Sequence, residues 1–422
     1  MARLKEEYWL SDGAGRTRKE RQSGAYQSYQ PDTLVGADLL FYSDVVAASS
    51  KAEAAIRKLN EQAGSLTNTE PLARLIMRAE AVASSRIEGL EVGARRLLQE
   101  EALQRTGTPS PARSTASEVI GNINAMSMAI EEAVQAERIT VSVFQKIHRE
   151  LFKGSRLERY GGEIRERQNW IGGNPYNPIG AAFVPPRAQD VPKLLEDLAA
   201  FCNEERVSPL VHAALVHAQF ETIHPFVDGN GRTGRALIHL ILRRRGLSPR
   251  VVPPISLILA TEKDDYLRFL DEYHYVGEPD GNEAIDARNE WVEFFCNASM
   301  RAAQDALDFE DRIKAIQAEW VNLVRPRKGS AAFDLIGILP GTPIFSIDQI
   351  AAASGKSKEA VRLAVETLVG KGVLKQTSNA RRNRYFEAID IIKEFTRYER
   401  LLATKSGDTR SEKPRRSVPY RV

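Results

Sequence analysis

From about residue 31 onward the apolar positions recur at intervals of three and four, the spacing of helices with one buried face. DLLFYSDVVAASSKAEAAIRKLN carries its Ala and Leu residues that way. PLARLIMRAEAVASSRIEG follows, with Pro71 at a helix start and Gly89 at its stop. VIGNINAMSMAIEEAV, TVSVFQKIHRELF, VPKLLEDLAAFCNE and SPLVHAALVHAQFETI repeat the period. RALIHLILRRRG is a strongly apolar helix capped by Gly246. ISLILATEKDDYLRFLDEYHYV and RNEWVEFFCNASMRAAQDALDFEDRIKAIQAEWVNLV complete the helical part. One stretch breaks the period. NWIGGNPYNPIGAAFVPP has short apolar ends around a middle rich in Gly, Pro and Asn, and predicts a β-hairpin or an extended flap.

The two ends read differently. Residues 1–30 are polar and rich in Gly, Ser and Arg, which predicts a mobile arm. TGTPSPARSTAS, residues 106–117, predicts a loop or linker. RPRKGS marks a boundary, after which FSIDQIAAASGKSKEAVRLAVETLVGKGVLKQ reads as helix, turn, helix, then strand. Val361, Ala364, Val365 and Leu368 supply the buried face of the second of these helices. VLKQTSNARRNRYFEAI reads as two strands joined by a basic turn, an arrangement that suits a winged helix-turn-helix. The expected organisation is an arm at 1–30, a helical region at 31–115, a helical core at 116–308, a helical linker at 309–329, the winged module at 330–400 and a disordered tail at 401–422.

Composition refines this picture. The 422 residues are 42% hydrophobic and 27% charged, ordinary for a soluble protein with two or three cores. No apolar run approaches the ~18 residues of a membrane span, so no membrane partner is expected. MARLKEEYWL lacks the apolar core of a secretory signal. Cys202 and Cys296 are far apart, which suits reduced core thiols in a cytoplasmic protein. Net charge is only +3, but residues 321–422 hold 20 Lys and Arg against 10 Asp and Glu, leaving the rest of the chain at −7. A basic module of that kind suits an acidic partner.

The chemistry concentrates in HPFVDGNGRTGR, residues 224–235. Inside it, Gly229, Gly231 and Gly234 match the G-x-G-x-x-G of dinucleotide-binding folds, but that fingerprint needs a preceding strand, and VHAALVHAQFETI has helical spacing. Gly229, Asn230 and Gly231 instead lead into a helix, where backbone N–H groups and the helix dipole make an anion cradle. Arg232 and Arg235, three apart, lean over the same place with forks that fit phosphate oxygens. Asp228 offers the single hard oxygen that Mg²⁺ takes beside nucleotide phosphates. His224, just outside the loop, titrates near neutrality and suits removal of a proton from a hydroxyl. The alternative is a polar turn between helices, since Asp, Asn and Gly favour turns.

HPFVDGNGRTGR resembles the signature of the Fic (filamentation induced by cAMP) family, HxFx(D/E)GNGRxxR, at every specified position, and HAQFETIHPF resembles the family around it. The resemblance extends over roughly residues 30 to 300. It implies a mainly α fold, with a Fic-type helical core, a β-hairpin flap and a trailing winged helix-turn-helix. It also implies AMP transfer from ATP, as co-substrate with Mg²⁺, to a Ser, Thr or Tyr hydroxyl of a target protein or of the chain itself. His224 would be the base and Asp228 the metal ligand. Gly229 to Gly231 would form the anion hole, with Asn230 and Arg232 on the α- and β-phosphates and Arg235 on the γ-phosphate. Thr233 and Gly234 complete the nucleotide-binding run.

SSRIEG resembles the family's inhibitory motif (S/T)xxxE(G/N), as Ser84, Glu88 and Gly89. The resemblance implies that Glu88 pairs with Arg235 and competes with the γ-phosphate. Its plainer alternative is a helix end with a Gly cap. Ala181, Ala182, Phe183 and Val184 are the expected strand on which an extended target segment would dock. Tyr266 and Asn289 are expected against the adenosine. Lys358, Arg362, Arg381, Arg382 and Arg384 are expected near DNA phosphates if the winged module enters a groove; the alternative is a protein contact or a homodimer. The chain thus reads as a protein adenylyltransferase autoinhibited by Glu88. The alternatives are removal of AMP at the same site and a DNA-binding regulator that retains a vestigial Fic core.

Overall fold

The computed structural model describes residues 1–64, 70–105, 114–377 and 384–401. The tail beyond residue 401, most of the loop expected at 106–117, and Arg381 and Arg382 lie outside these residues. The fold is mainly helical. The N-terminal helices are α1 (Ser43–Gly64), α2 (Glu70–Ile87) and α3 (Ala94–Arg105). The central bundle contains α4 (Thr115–Gln135), α5 (Val141–Phe152), α6 (Val191–Phe201), α7 (Pro209–Ile223), α8 (Asn230–Arg244), α9 (Ile255–Thr261), α10 (Lys263–Glu272) and α11 (Asn282–Val324).

Helix α7 is apolar on all sides and lies in the middle of the bundle, buried from Leu210 to Phe220. It packs on α8, and Gly234 permits the approach: a Cβ there would lie 2.5 Å from Glu221 and 3.2 Å from Phe220. Helix α2 is buried continuously from Ala79 to Ile87. Its Glu80 carboxylate, fully enclosed, accepts from His239 Nε2 (2.9 Å) on α8 and from the Ser256 backbone N–H (2.7 Å) on α9. That pairing satisfies an otherwise costly buried charge and fixes α2 against the helix that carries the glycine motif.

The first thirty residues differ from the expected arm. They form an antiparallel ribbon of β1 (Arg3–Trp9) and β2 (Gly24–Gln30), paired from Arg3–Gln30 to Trp9–Gly24. Tertiary contacts hold it. Ala2 bridges Gly277, the N-terminal amine pairs with Asp32, and Tyr29 is buried with its hydroxyl donating to Tyr275 O (2.8 Å).

After α11 come α12 (Ala331–Ile338), β3 (Ile344–Ser346), α13 (Ile347–Ser354), α14 (Lys358–Gly370), β4 (Lys375–Gln376), β5 (Tyr385–Glu387) and α15 (Ile389–Leu401). The strands form one antiparallel sheet in the order β3-β5-β4. Ser346 and Gln349 form a reciprocal capping box at the start of α13. This module does not stand apart. Helix α11 continues unbroken through the boundary expected at 308, with Phe309, Ile313 and Trp320 buried. A Cβ on Gly341 would lie 2.5 Å from Pro71 Cα at the start of α2, and Arg78 of α2 donates to Gly341 O (2.9 Å). Arg95 of α3 forks onto Glu387 at 3.0 and 2.6 Å. One continuous apolar core accordingly runs from Leu34 to Tyr398.

Candidate active site

Helix α7 ends on His224, which adopts a left-handed backbone (φ 48°) while its N–H still bonds Phe220 O. The nearest partner of Nδ1 is the Glu221 carbonyl at 3.3 Å. A carbonyl only accepts, so Nδ1 carries the proton and the Nε2 lone pair stays free. Burial pushes the imidazole down to about 4, with the Glu221 carbonyl, Glu88 and Asp228 opposing it and Arg165 reinforcing it. At neutral pH His224 is therefore an uncharged imidazole.

The chain then turns through residues 225–229 into α8, and the turn is tied down at Pro225, Phe226, Asp228 and Gly229. Asn230 accepts from Phe226 N–H (2.8 Å) and donates to Phe226 O (2.9 Å). Asn169 donates to His224 O (3.3 Å) and Phe226 O (3.1 Å). His148 accepts from Gly162 N–H through Nδ1 (2.8 Å), so its Nε2–H donates to Asp228 O (2.9 Å). The His148 ring also stacks on Phe226, centroids 3.7 Å apart. Gly229 has φ 77°, and a Cβ there would lie 2.8 Å from Phe152, so both conformation and space demand glycine.

The N-terminus of α8 faces the Glu88 carboxylate. Asn230 N–H and its successors have no capping side chain, as expected of an anion cradle. Arg235 is fully buried and donates Nε–H to Ser84 Oγ (2.9 Å) and Nη2–H to Ser84 O (2.9 Å) and to Glu88 Oε1 (2.7 Å). Ser84 O is available because α2 tightens at its end, where Glu88 N–H bonds Ser85 O. The Glu88 carboxylate lies against the cradle: a Cβ on Gly231 would be 2.1 Å from Oε1. Burial works against the Glu88 charge, but Arg235, with lesser help from Arg232, outweighs it and holds the carboxyl below its usual range. Gly89 follows in the left-handed conformation (φ 80°) and turns the chain away.

Other expected residues lie as follows. Arg232 is buried, with its guanidinium over the Phe152 ring (5.3 Å) and Nη2 3.8 Å from Asp228 Oδ1. Thr233 is enclosed in the interior and Gly234 faces α7, so these two serve helix packing rather than the cleft. Tyr266 of α10 reaches the site from beneath. Its hydroxyl is 2.9 Å from His217 Nε2 and 3.5 Å from Arg235 Nη1. Asn289 lies among different partners: its amide accepts from Tyr42 N–H (2.7 Å) and donates to Leu40 O and Ile285 O, which tethers the segment before α1. None of these partners belongs to the glycine motif, and neither amide hydrogen is left over for a base.

The flap is reduced to one antiparallel bridge, Ile171 with Phe183, around turns at Gly172, Gly173 and Gly180. Phe183 stacks on His274, and Ala181 and Ala182 bond within the flap. The Val184 carbonyl accepts from Tyr29 N–H (2.9 Å), and Asn177 donates to Lys19 O and Glu20 O. The N-terminal ribbon thus runs beside the flap and occupies part of the edge expected to be open.

Asp228 is exposed; its Oδ1 accepts from Gly229 N–H (2.6 Å). Among the described residues no group of three His, Cys, Asp or Glu converges as a metal cage. A lone carboxylate beside an anion cradle fits Mg²⁺ that arrives with nucleotide phosphates and keeps its own water. Among the described residues no helix is long and apolar enough to cross a membrane. Cys202 and Cys296 are buried free thiols.

A neutral imidazole at a helix end, beside an arginine-rich helix N-terminus, is an arrangement suited to phosphoryl or nucleotidyl chemistry on a polyanion. Residues 138–242 match the Fic/DOC family and residues 46–131 match the Fic/DOC family N-terminal region. Over these two regions the chain is similar to the Fic/DOC family. It is 34% identical over 140 residues to the protein adenylyltransferase Fic of Drosophila erecta, covering 32% of this chain and 26% of that one. The protein of the same name from Drosophila yakuba is 32% identical over 157 residues, 36% and 28% of the two chains. The chain thus spans about a quarter of the length of these curated relatives. A solved structure of a Fic family protein from Desulfovibrio desulfuricans G20 aligns over 83% of this chain and 97% of that chain, with 21% identity and a TM-score of 0.49.

Proposed function

We propose that this chain transfers AMP from ATP to a protein hydroxyl and that Glu88 holds the reaction off. The observation that carries the reading is the carboxylate on Gly231 and Arg235, which takes up the place and the guanidinium that a terminal phosphate needs. ATP entering beside Glu88 would be turned out of line for attack. With Glu88 away, Arg235 would hold the γ-phosphate, and the α8 N-terminus with Arg232 the inner phosphates. Mg²⁺, held by Asp228, would neutralise phosphate charge. His224 Nε2 takes the proton of the incoming hydroxyl, whose oxygen bonds the α-phosphorus as the bond to pyrophosphate breaks. Protein bearing AMP, pyrophosphate and protonated His224 result, and the proton then returns to solvent.

Incubation with ATP and Mg²⁺ followed by mass spectrometry tests this. The Glu88→Gly protein is expected to gain AMP on itself or on a lysate protein, and Glu88→Gly with His224→Ala is expected to gain none. Removal of AMP at the same site is a second reading, favoured by one fact: Glu88 stays ionised within the cleft and is suited to orienting a water. Wild type would then strip an AMPylated target and Glu88→Ala would not.

The helices and sheet after Arg325 suit a winged helix-turn-helix with α14 as its reading helix. Yet Lys358 pairs with Asp348 (2.9 Å), and Arg362 with Glu359 and Glu366. Duplex DNA would have to displace these acids, so we expect weak, steeply salt-dependent binding, measured by mobility shift between 50 and 200 mM salt.

A further inference from the structure

We propose that Arg165 is a positioning residue for His224, and that through it the base and the flap are held as one unit. The inference deepens the reading above and rests on it for its kinetic consequence.

Arg165 lies in the loop between α5 and the flap, with its side chain buried. Its guanidinium donates Nε–H to His224 O (2.9 Å), Nη2–H to Ile223 O (3.4 Å) and Pro186 O (2.5 Å), and Nη1–H to Arg167 O (3.3 Å). Its own backbone N–H bonds Pro225 O (2.9 Å). Every one of these acceptors is a main-chain carbonyl; among the described residues no carboxylate pairs with the charge. A buried cation held by dipoles alone is a poor stabilising device, and its geometry explains its place better than its charge does.

The geometry is specific. Ile223 and His224 carry orphan carbonyls at the C-terminus of α7, where a cation is favoured. His224 is in the left-handed region, which a residue with a Cβ holds only when its surroundings over-determine it. Arg165 supplies that determination on one side and Asn169 on the other, since both donate to His224 O. The same planar fork reaches Pro186 O at the end of the flap. A displacement of the flap by an incoming protein segment is thereby transmitted to the backbone of the base, and a rigid fork transmits it where a flexible ammonium does not.

The test uses full-length protein in the Glu88→Gly background. Arg165→Met is expected to lower kcat on the order of 100-fold, the penalty of a base misplaced by about 1 Å, with KM for ATP changed less than about threefold. Arg165→Lys is expected to restore little, and free guanidinium added to Arg165→Gly is expected to restore part of the rate. Asn169→Ala, which keeps the fork, is expected to lose rate less in the same direction and stands in if the Arg165 variants do not fold. A kcat for Arg165→Met within twofold overturns the proposal, as does a loss confined to KM. If Glu88→Gly transfers nothing, the reading of function fails on its own. Arg165 is then judged by the NMR signals of the His224 ring in labelled protein. They are expected to shift in Arg165→Met, and unchanged signals overturn the positioning role.

Discussion

Replacing Glu88 by glycine removes the only carboxylate that hydrogen-bonds Arg235 among the described residues. The size of the effect follows from the geometry of that pair. Arg235 is 1% exposed, but the Glu88 side chain keeps 38% of its surface open, so water screens part of its charge. A hydrogen bond between charged groups contributes about 1.5–3 kcal/mol, and the open side argues for ~1.5–2 kcal/mol here. At about 1.4 kcal/mol per tenfold, freeing Arg235 for phosphate should raise AMP incorporation about 10- to 30-fold. Glu88→Gln, which keeps the size and an acceptor oxygen but not the charge, should fall between wild type and Glu88→Gly. The assay is label incorporated from ATP per minute, at ATP below and above saturation. Because the folded-state carboxyl lies below its ordinary range, the clasp is fully formed above the unfolded value and is lost only as pH falls through the lower, folded one. Inhibition of wild type should therefore be flat from pH 6 to 9. Equal incorporation by wild type and Glu88→Gly, with ATP binding intact in both, would refute the reasoning.

Four further outcomes follow from the same site. His224 is pushed down to about 4, so burial keeps it neutral; the unfolded chain binds the extra proton between about 4 and 6.5, and stability should rise with pH across that window in wild type but less so in His224→Ala, read by urea titration. His224→Ala should also cut transfer by about 10²–10⁴ in the Glu88→Gly background, measured by label incorporation. Gly231→Ala should push Glu88 off the cradle yet also fill the space of the phosphate, so calorimetry should find ATP binding weakened even when Glu88 is glycine. Gly234→Ala forces a Cβ onto Glu221 and His217 between two packed helices and should destabilise by about 1–3 kcal/mol, seen as a lowered Tm.

The glycine motif was legible in the sequence because its chemistry is local: charges and glycines lie within twelve residues, and helix α7 before it excludes the dinucleotide alternative. Glu88 and Ser84 were legible by resemblance, and both touch Arg235. Arg165, Asn169 and His148 were not, because what they hold is main-chain carbonyl, and a carbonyl leaves no trace in the identity of its residue. His148 had one faint signal, a histidine on the apolar face of an otherwise amphipathic helix. The ribbon of residues 1–30 was hidden for a related reason. Its strands are polar by composition, and what orders them is distant: Gly277, Tyr275, Val184 and Asn177. Asn289 has the residue type for reading a base, but its fourth-residue carbonyl and the approach of Leu40 and Tyr42 satisfy it first.

Helix α11 has a consequence for how the molecule comes apart. Its 43 residues make a rod of about 65 Å that packs on the central bundle near its start, through Trp291, and on the C-terminal helices further along, through Phe309, Gln317 and Trp320. There is no seam along it where one half can melt while the other stays whole. Cutting the chain at 308 would remove Phe309, Ile313 and Trp320 from the core and Gly341 from beside Pro71, loosening the helix that leads into Glu88. The expected outcome of a urea titration is therefore a single transition, with no separate earlier step for the C-terminal helices.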